Sequence, residues 1–167
     1  MGRVLMIIAP RNFRDEELFQ PKEELEKTGN SVTIASTTTD IATGMLGGTA
    51  KPDLTINNVD VDDYDAVVFV GGTGSSVYFK DPRAHEIART ANEKGKLIGA
   101  ICIAPSTLAN AGLLRGKKAT SYPSEKNNLR SKGANFTGNP VEKDGNIITA
   151  TGPSSAREFG RTIAKSL

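Results

Sequence analysis

One cysteine, one histidine and no tryptophan are found among the 167 residues. A lone Cys102 excludes an internal disulfide, and with His85 as the only other soft ligand it excludes a cysteine-based zinc site. No metal site is expected. No apolar run approaches the ~20 residues that cross a bilayer. The N-terminus passes straight into strand-like sequence with no separate signal segment, so the expected compartment is the cytoplasm, with no membrane partner. Charge of one sign is also lacking: 21 basic against 19 acidic residues leave +2. Because the two signs are interspersed, there is no electrostatic case for a nucleic-acid partner. The one basic knot, Arg115-Gly116-Lys117-Lys118, reads as a solvated turn. Asn135-Phe136-Thr137 fits a glycosylation sequon, which carries no weight without export. There is no internal repeat and no low-complexity linker. The length therefore fits one domain, 1–167, able to bury roughly 70% of its unfolded surface without staples.

What is present is an alternation of short apolar runs and helical segments. Strands are expected at 4–9, 31–35, 66–70, 97–101, 119–122 and 147–151. Helices are expected at 15–27, from the Asp81-Pro82 cap to Gly95, and at 105–111, 124–132 and 154–167. Gly29, Gly112 and Gly133 read as helix stops. Pro21 falls inside the first helix and is expected to kink or restart it. The segment 37–58, rich in Thr, Gly and Asp, reads as a loop or an excursion of short strands, and 140–145 as a turn between short strands. Strands alternating with helices imply an α/β fold, a doubly wound, mostly parallel sheet with helices on both faces. Ligands bind such sheets beyond the carboxyl ends of the strands. That selects 9–14, 71–76, 102–105 and 122–124 as the rim of a site.

Cys102 ends one of these strands, in Leu97-Ile-Gly-Ala-Ile-Cys-Ile-Ala-Pro105, so it falls on a strand-to-helix turn. That is the position of a nucleophile elbow, where the following helix N-terminus is expected to favour the thiolate and lower the thiol pKa. The loop Gly71-Gly72-Thr73-Gly74-Ser75-Ser76 has three readings: a flexible connection, a phosphate cradle, or a source of backbone N–H donors. In the last, the amide of Gly72 joins that of Ile103 in an oxyanion hole beside Cys102. No Walker lysine follows the loop, and no dinucleotide-binding glycine pattern follows the first strand. Asp15-Glu16-Glu17 complements the dipole of the first helix, and one of the three can face the thiol from the same rim. Which one is not legible in the sequence. His85 lies inside a helix, away from the rim, and reads as a surface or interface residue. Tyr122 ends a strand on the rim.

These segments resemble the ThiJ/PfpI superfamily, which includes PfpI-type intracellular cysteine peptidases and the parkinsonism-associated deglycase. The resemblance spans nearly the whole chain. It rests on Glu17-Leu-Phe-Gln-Pro21, Tyr64-Asp-Ala-Val-Val-Phe-Val-Gly-Gly72, Ala100-Ile-Cys-Ile-Ala-Pro105, Ala111-Gly-Leu-Leu-Arg-Gly116, Thr120-Ser-Tyr-Pro123 and Val141-Glu-Lys-Asp-Gly-Asn146. It implies a flavodoxin-like fold similar to class I glutamine amidotransferase domains. It also implies a nucleophile at Cys102, a glutamate hydrogen-bonded to it at Glu17, oxyanion donors at the Gly72 and Ile103 amides, and Tyr122 and Gly71 in the substrate pocket. A homo-oligomer, a dimer or larger ring, is implied as well. The sequence also departs from the family. PfpI-type peptidases have histidine where Ile103 stands and an acidic residue where Ser76 stands. Deglycase-like members have arginine where Thr151 stands.

Three functions follow as expectations. The first is cysteine-dependent chemistry on small reactive carbonyls, of the glyoxalase or deglycase type, through Cys102 and Glu17 and with no cofactor. The second is a redox-sensing stress-response protein or chaperone acting through oxidation of Cys102 by a small oxidant. The third is a PfpI-like cysteine peptidase or hydrolase, disfavoured because isoleucine cannot relay a proton. Only a neighbouring subunit's His85 is available to replace that base.

Overall fold

The run from Val4 to Ile8 is apolar without interruption because both of its faces are covered. In the computed structural model, which describes residues 1–167, β1 (Arg3–Ile7) is an interior strand of a seven-stranded sheet. Leu5 and Ile7 enter one apolar layer, and Val4, Met6 and Ile8 enter the other, as the two-residue period of a strand requires. The chain continues through β2 (Arg11–Phe13), α1 (Asp15–Lys27), β3 (Ser31–Ser36), β4 (Ala42–Gly44), β5 (Thr49–Ala50), β6 (Leu54–Thr55) and β7 (Ala66–Phe69). Then come α2 (Pro82–Glu93), β8 (Leu97–Ile101), α3 (Pro105–Asn110), β9 (Lys118–Ala119), α4 (Lys126–Ser131), β10 (Asn135–Phe136), β11 (Val141–Asp144), β12 (Ile147–Ala150) and α5 (Ala156–Ser166).

The strand order is β11-β12-β8-β7-β1-β3-β6. Every neighbouring pair is parallel except β11 with β12. Within it, β3-β1-β7-β8-β12 is the 2-1-3-4-5 order of a flavodoxin-like sheet, so the expected α/β architecture is observed. The order reverses at β1, which pairs with β3 on one side and β7 on the other. The crevice for a ligand therefore opens beyond the carboxyl ends of β1 and β7. One layer packs Ala84, Ile87, Ala88 and Ala91 of α2 with Leu108 of α3 and Leu129 of α4. The other packs Leu18 and Leu25 of α1 with Phe159 and Ile163 of α5. Each such large apolar side chain, fully buried, stabilises the fold by roughly 1.5–3 kcal/mol.

Four local expectations are corrected. Helix α1 does not restart at Pro21 but continues through it. The proline removes the bond to the Glu17 carbonyl, yet it is buried against α5 at Gly160, where a Cβ would come within 2.6 Å of Pro21 Cα. Tertiary packing thus outweighs the local penalty. The segment expected as a turn at 140–145 contains the strand β11, whose Val-Glu-Lys-Asp sequence is polar because it forms the sheet edge. The strand expected at 119–122 shrinks to Lys118–Ala119, paired with β10. The loop after β7 is wound into a short 3-10 helix, Thr73–Tyr78. The excursion at 37–58 does form short strands, of which β4 pairs with β2 and β5. No helix is long and apolar enough to cross a membrane.

Candidate active site at the carboxyl end of the sheet

Strand β8 ends by driving Cys102 into the left-handed region, φ +65. A side chain bears that conformation only where its surroundings over-determine it. Here the Cys102 amide donates to the Ala150 carbonyl at 3.0 Å, and the Cys102 carbonyl accepts from the Tyr122 amide at 2.8 Å. The sulfur is thereby held at the end of the sheet, 8% exposed.

Glycine shapes the neighbouring strand end. A Cβ on Gly71 would overlap Glu17 Oε1 and lie within 2.5 Å of Cys102 Cβ and the Ile101 carbonyl. Gly71 therefore marks where the carboxyl and the cysteine approach each other. Gly72 has φ +103, and a Cβ there would meet Asn12 O at 2.5 Å. The Arg14 amide donates to the Gly71 carbonyl at 2.9 Å, fastening the start of α1 to the end of β7.

The three acids of the first turn divide their tasks. Asp15 accepts from the amides of Leu46 at 2.8 Å and Gly48 at 2.7 Å, holding the β4–β5 turn in place. Glu16 pairs with Arg14 at 2.9 Å. Glu17 alone points inward and is fully buried. Neither of its oxygens has a partner of good hydrogen-bond geometry, but the Cys102 thiol lies close enough to act on its ionisation. Burial pushes the Glu17 carboxyl up to about 8, against the pull of the Cys102 thiol and the Arg14 charge. Burial also pushes the Cys102 thiol up to about 12, with the Glu17 carboxylate adding to the rise. The backbone N–H groups of Gly72 and Ile103 oppose this. The expected lowering of the thiol pKa is therefore corrected: desolvation outweighs the two backbone N–H groups that favour the thiolate.

Cys102 opens onto a cavity of about 240 Å³ lined by Arg14, Met45, Gly72, Thr73, Ile103, Tyr122, Ser124 and Pro153. The structure thus brings together Cys102, Glu17, Gly71, Gly72, Ile103 and Tyr122. His85 is elsewhere: its Nε2 bonds the Phe79 carbonyl at 2.8 Å and it faces a separate hollow with Asn110 and Glu125. No group of three or more His, Cys, Asp or Glu side chains is placed to hold a metal ion. Met45 and Pro153 were not foreseen. Met45 sits in the turn that Asp15 and the Phe13 carbonyl hold in place, and no sequence signal links those positions.

The DJ-1/PfpI family pattern matches residues 2–166 of the chain. The chain belongs to this family. Among the relatives of this DJ-1/PfpI protein, MJ0967 of Methanocaldococcus jannaschii is 44% identical, the match covering 99% of this chain and 82% of the relative. The deglycase PfpI of Pyrococcus furiosus is 32% identical, with 98% of each chain covered. The crystal structure of a ThiJ/PfpI domain protein from Brachyspira murdochii superposes with a TM-score of 0.96 at 33% identity, covering 99% of this chain and 97% of that one.

Proposed function

We propose that this protein is a cysteine-dependent enzyme acting on small reactive carbonyls, of the glyoxalase or deglycase type. The observation that carries the reading is Cys102 lining a cavity of about 240 Å³ with the buried Glu17 carboxyl beside it. That volume lies below the usual range for drug-sized ligands and suits a molecule of a few heavy atoms. The name deglycase borne by the Pyrococcus furiosus relative is in keeping with it.

The chemistry follows from the two raised ionisations. As the Cys102 sulfur adds to an aldehyde carbon, its proton passes to the Glu17 carboxylate and the carbonyl electron pair moves onto oxygen. The Gly72 and Ile103 amides stabilise that oxyanion, and Glu17 returns the proton to give a hemithioacetal. With a 2-oxoaldehyde, Glu17 then takes the C1 proton and delivers it to C2 through an enediol. This leaves a thioester, which water cleaves to a 2-hydroxy acid and the free thiol. Oxidation at C1 is balanced by reduction at C2, so no outside redox agent is consumed.

The redox reading is less well supported, because Cys102 is the only cysteine and has no resolving partner in the chain, whereas the cavity and the neighbouring carboxyl suit carbonyl addition with proton transfer. The peptidase reading lacks a base at Ile103, and His85 does not share the cavity. A free cysteine suits a reducing compartment such as the cytoplasm, and a homo-oligomer is part of this reading by family likeness. The deciding experiment is incubation with methylglyoxal and enzymatic assay of lactate. We expect lactate from the wild type and none from Cys102→Ser; wild-type lactate no higher than the variant's overturns the reading.

A further inference from the structure

We propose that Arg14 makes small carbonyl compounds carrying a carboxylate, of the kind represented by glyoxylate, the preferred ligands of Cys102. This inference rests on the carbonyl reading above and names its substrate class.

Arg14 is the only charged side chain lining the Cys102 cavity; Met45, Thr73, Ile103, Tyr122, Ser124 and Pro153 are neutral. Its backbone is fixed from two directions. Its amide donates to the Gly71 carbonyl, and its carbonyl accepts from the amides of Glu17 and Leu18. The guanidinium is braced as well: Nε donates to Glu16 Oε1 at 2.9 Å and Nη2 to Glu16 Oε2 at 3.2 Å. Those bonds occupy one edge of the planar fork and leave the Nη1 edge without a protein partner. A guanidinium held in this way has already lost much of its rotational freedom, so a second carboxylate bound on the free edge meets a prepared, bidentate site. The side chain is 29% exposed, which limits solvent screening. Its charge is felt at both reacting groups: it favours the Glu17 carboxylate and responds to Cys102.

Glu16 offsets part of the charge from the edge it occupies. A carboxylate on the Nη1 edge bonds the guanidinium directly and meets Glu16 only from across it, and Arg14 is the one cation lining the cavity. The small volume favours a carboxylate close to the carbonyl carbon, as in glyoxylate. Capture forms one S–C bond and converts the carbonyl into a hydroxyl. The thiol proton reaches oxygen through Glu17, and no electrons leave the pair of molecules.

The test is protection of Cys102 from iodoacetamide, followed by intact-mass spectrometry, with glyoxylate compared to neutral glyoxal. Each protecting concentration is normalised to the same aldehyde's capture of a free thiol in solution. In the wild type, glyoxylate is expected to protect at a concentration about tenfold lower than glyoxal, the scale of one charge-assisted contact. Arg14→Gln should bring the ratio close to unity. Glu16→Gln, which frees the guanidinium charge, should hold or widen it, and added salt should narrow it. A purely structural role for the Arg14–Glu16 pair predicts the opposite pattern, in which both variants lose the preference alike. That result, or equal protection by both aldehydes in the wild type, overturns the proposal and leaves the carbonyl reading standing. If neither aldehyde protects a thiol that iodoacetamide does label, the carbonyl reading falls and takes this proposal with it. Should Arg14→Gln fail to fold, the wild-type ratio, its salt dependence and Glu16→Gln still decide.

Discussion

Helix α1 carries two buried glutamates seven positions apart whose surroundings treat them in opposite ways. Glu24 is covered by the stems of basic side chains: Arg161 Nε lies 3.0 Å from Oε1, Arg157 Nη1 3.2 Å from Oε1, and Lys27 Nζ 3.2 Å from Oε2. Those partners, Lys27 foremost, hold its carboxyl below the usual carboxylate range. Glu17 is covered by the core and the ends of β7 and β8, with no cation bonded to it, and its carboxyl rises to about 8. Burial alone therefore does not decide the charge of an acid. The partners that accompany it do, and one helix supports both a fixed ion and a proton carrier.

Removing each carboxyl separates the two ends of the helix most sharply. Glu17→Gln keeps the shape but neither accepts nor returns a proton, so lactate formation from methylglyoxal should fall by roughly 10²–10⁴-fold, the usual scale for a lost acid–base group. Glu24→Gln should leave kcat/KM close to the wild-type value. Equal losses in the two variants would mean that Glu17 supports structure only. In the wild type, activity should climb with pH towards about 8, as the Glu17 carboxylate forms.

The pH dependence of stability sharpens the same contrast. Glu17 keeps its proton in the fold up to about pH 8, whereas in the unfolded chain it ionises from its ordinary 4.5. Across that window the unfolded chain binds fewer protons. Stability should therefore fall as pH rises from 4.5 to 8, by up to about 5 kcal/mol. Glu24 acts in the other direction: its stabilisation is present above pH 4.5 and is lost as pH falls through its lowered folded value. Urea midpoints between about pH 2 and about 8.5 should show a flatter alkaline limb for Glu17→Gln and a flatter acid limb for Glu24→Gln. Parallel curves for wild type and Glu17→Gln would contradict the assignment.

A smaller effect is expected where α1 rests on α5. Gly160→Ala places a methyl group against the backbone of Pro21, and overpacking of that kind costs about 1–3 kcal/mol. It should lower the thermal midpoint by several degrees and, because Glu17 and Glu24 ride on the same helix, disturb both. The least effect belongs to Arg161→Gln: a 56% exposed partner of Glu24 contributes about 1 kcal/mol or less, measurable as a slight loss of stability at neutral pH.

The frame of the fold was legible because it is written in uninterrupted apolar runs and glycine stops. The central strands and most of the helices follow from that pattern, as does the placing of Cys102 at a strand end beside Gly71-Gly72. Polar β11 was not legible, since an edge strand shows little of the interior's hydrophobicity. Nor was the continuity of α1 through Pro21, which depends on Gly160 more than a hundred residues away. Within the site, the sequence named Glu17 only through family likeness, because Asp15 and Glu16 are equally suited to a first turn. Their division is decided by Leu46, Gly48 and Arg14. The thiol's ionisation is not legible for a related reason: a dipole can be inferred from a strand-to-helix turn, but the loss of water around sulfur depends on walls contributed by distant segments.

The backbone at Cys102 has one more consequence. Its left-handed φ of +65 is a conformation that glycine adopts freely and other residues at a cost. Selection acting on backbone strain alone would thus exchange this cysteine for glycine. A lineage that stops needing the sulfur should lose it early, at this position and in that direction, while the apolar strand leading up to it persists.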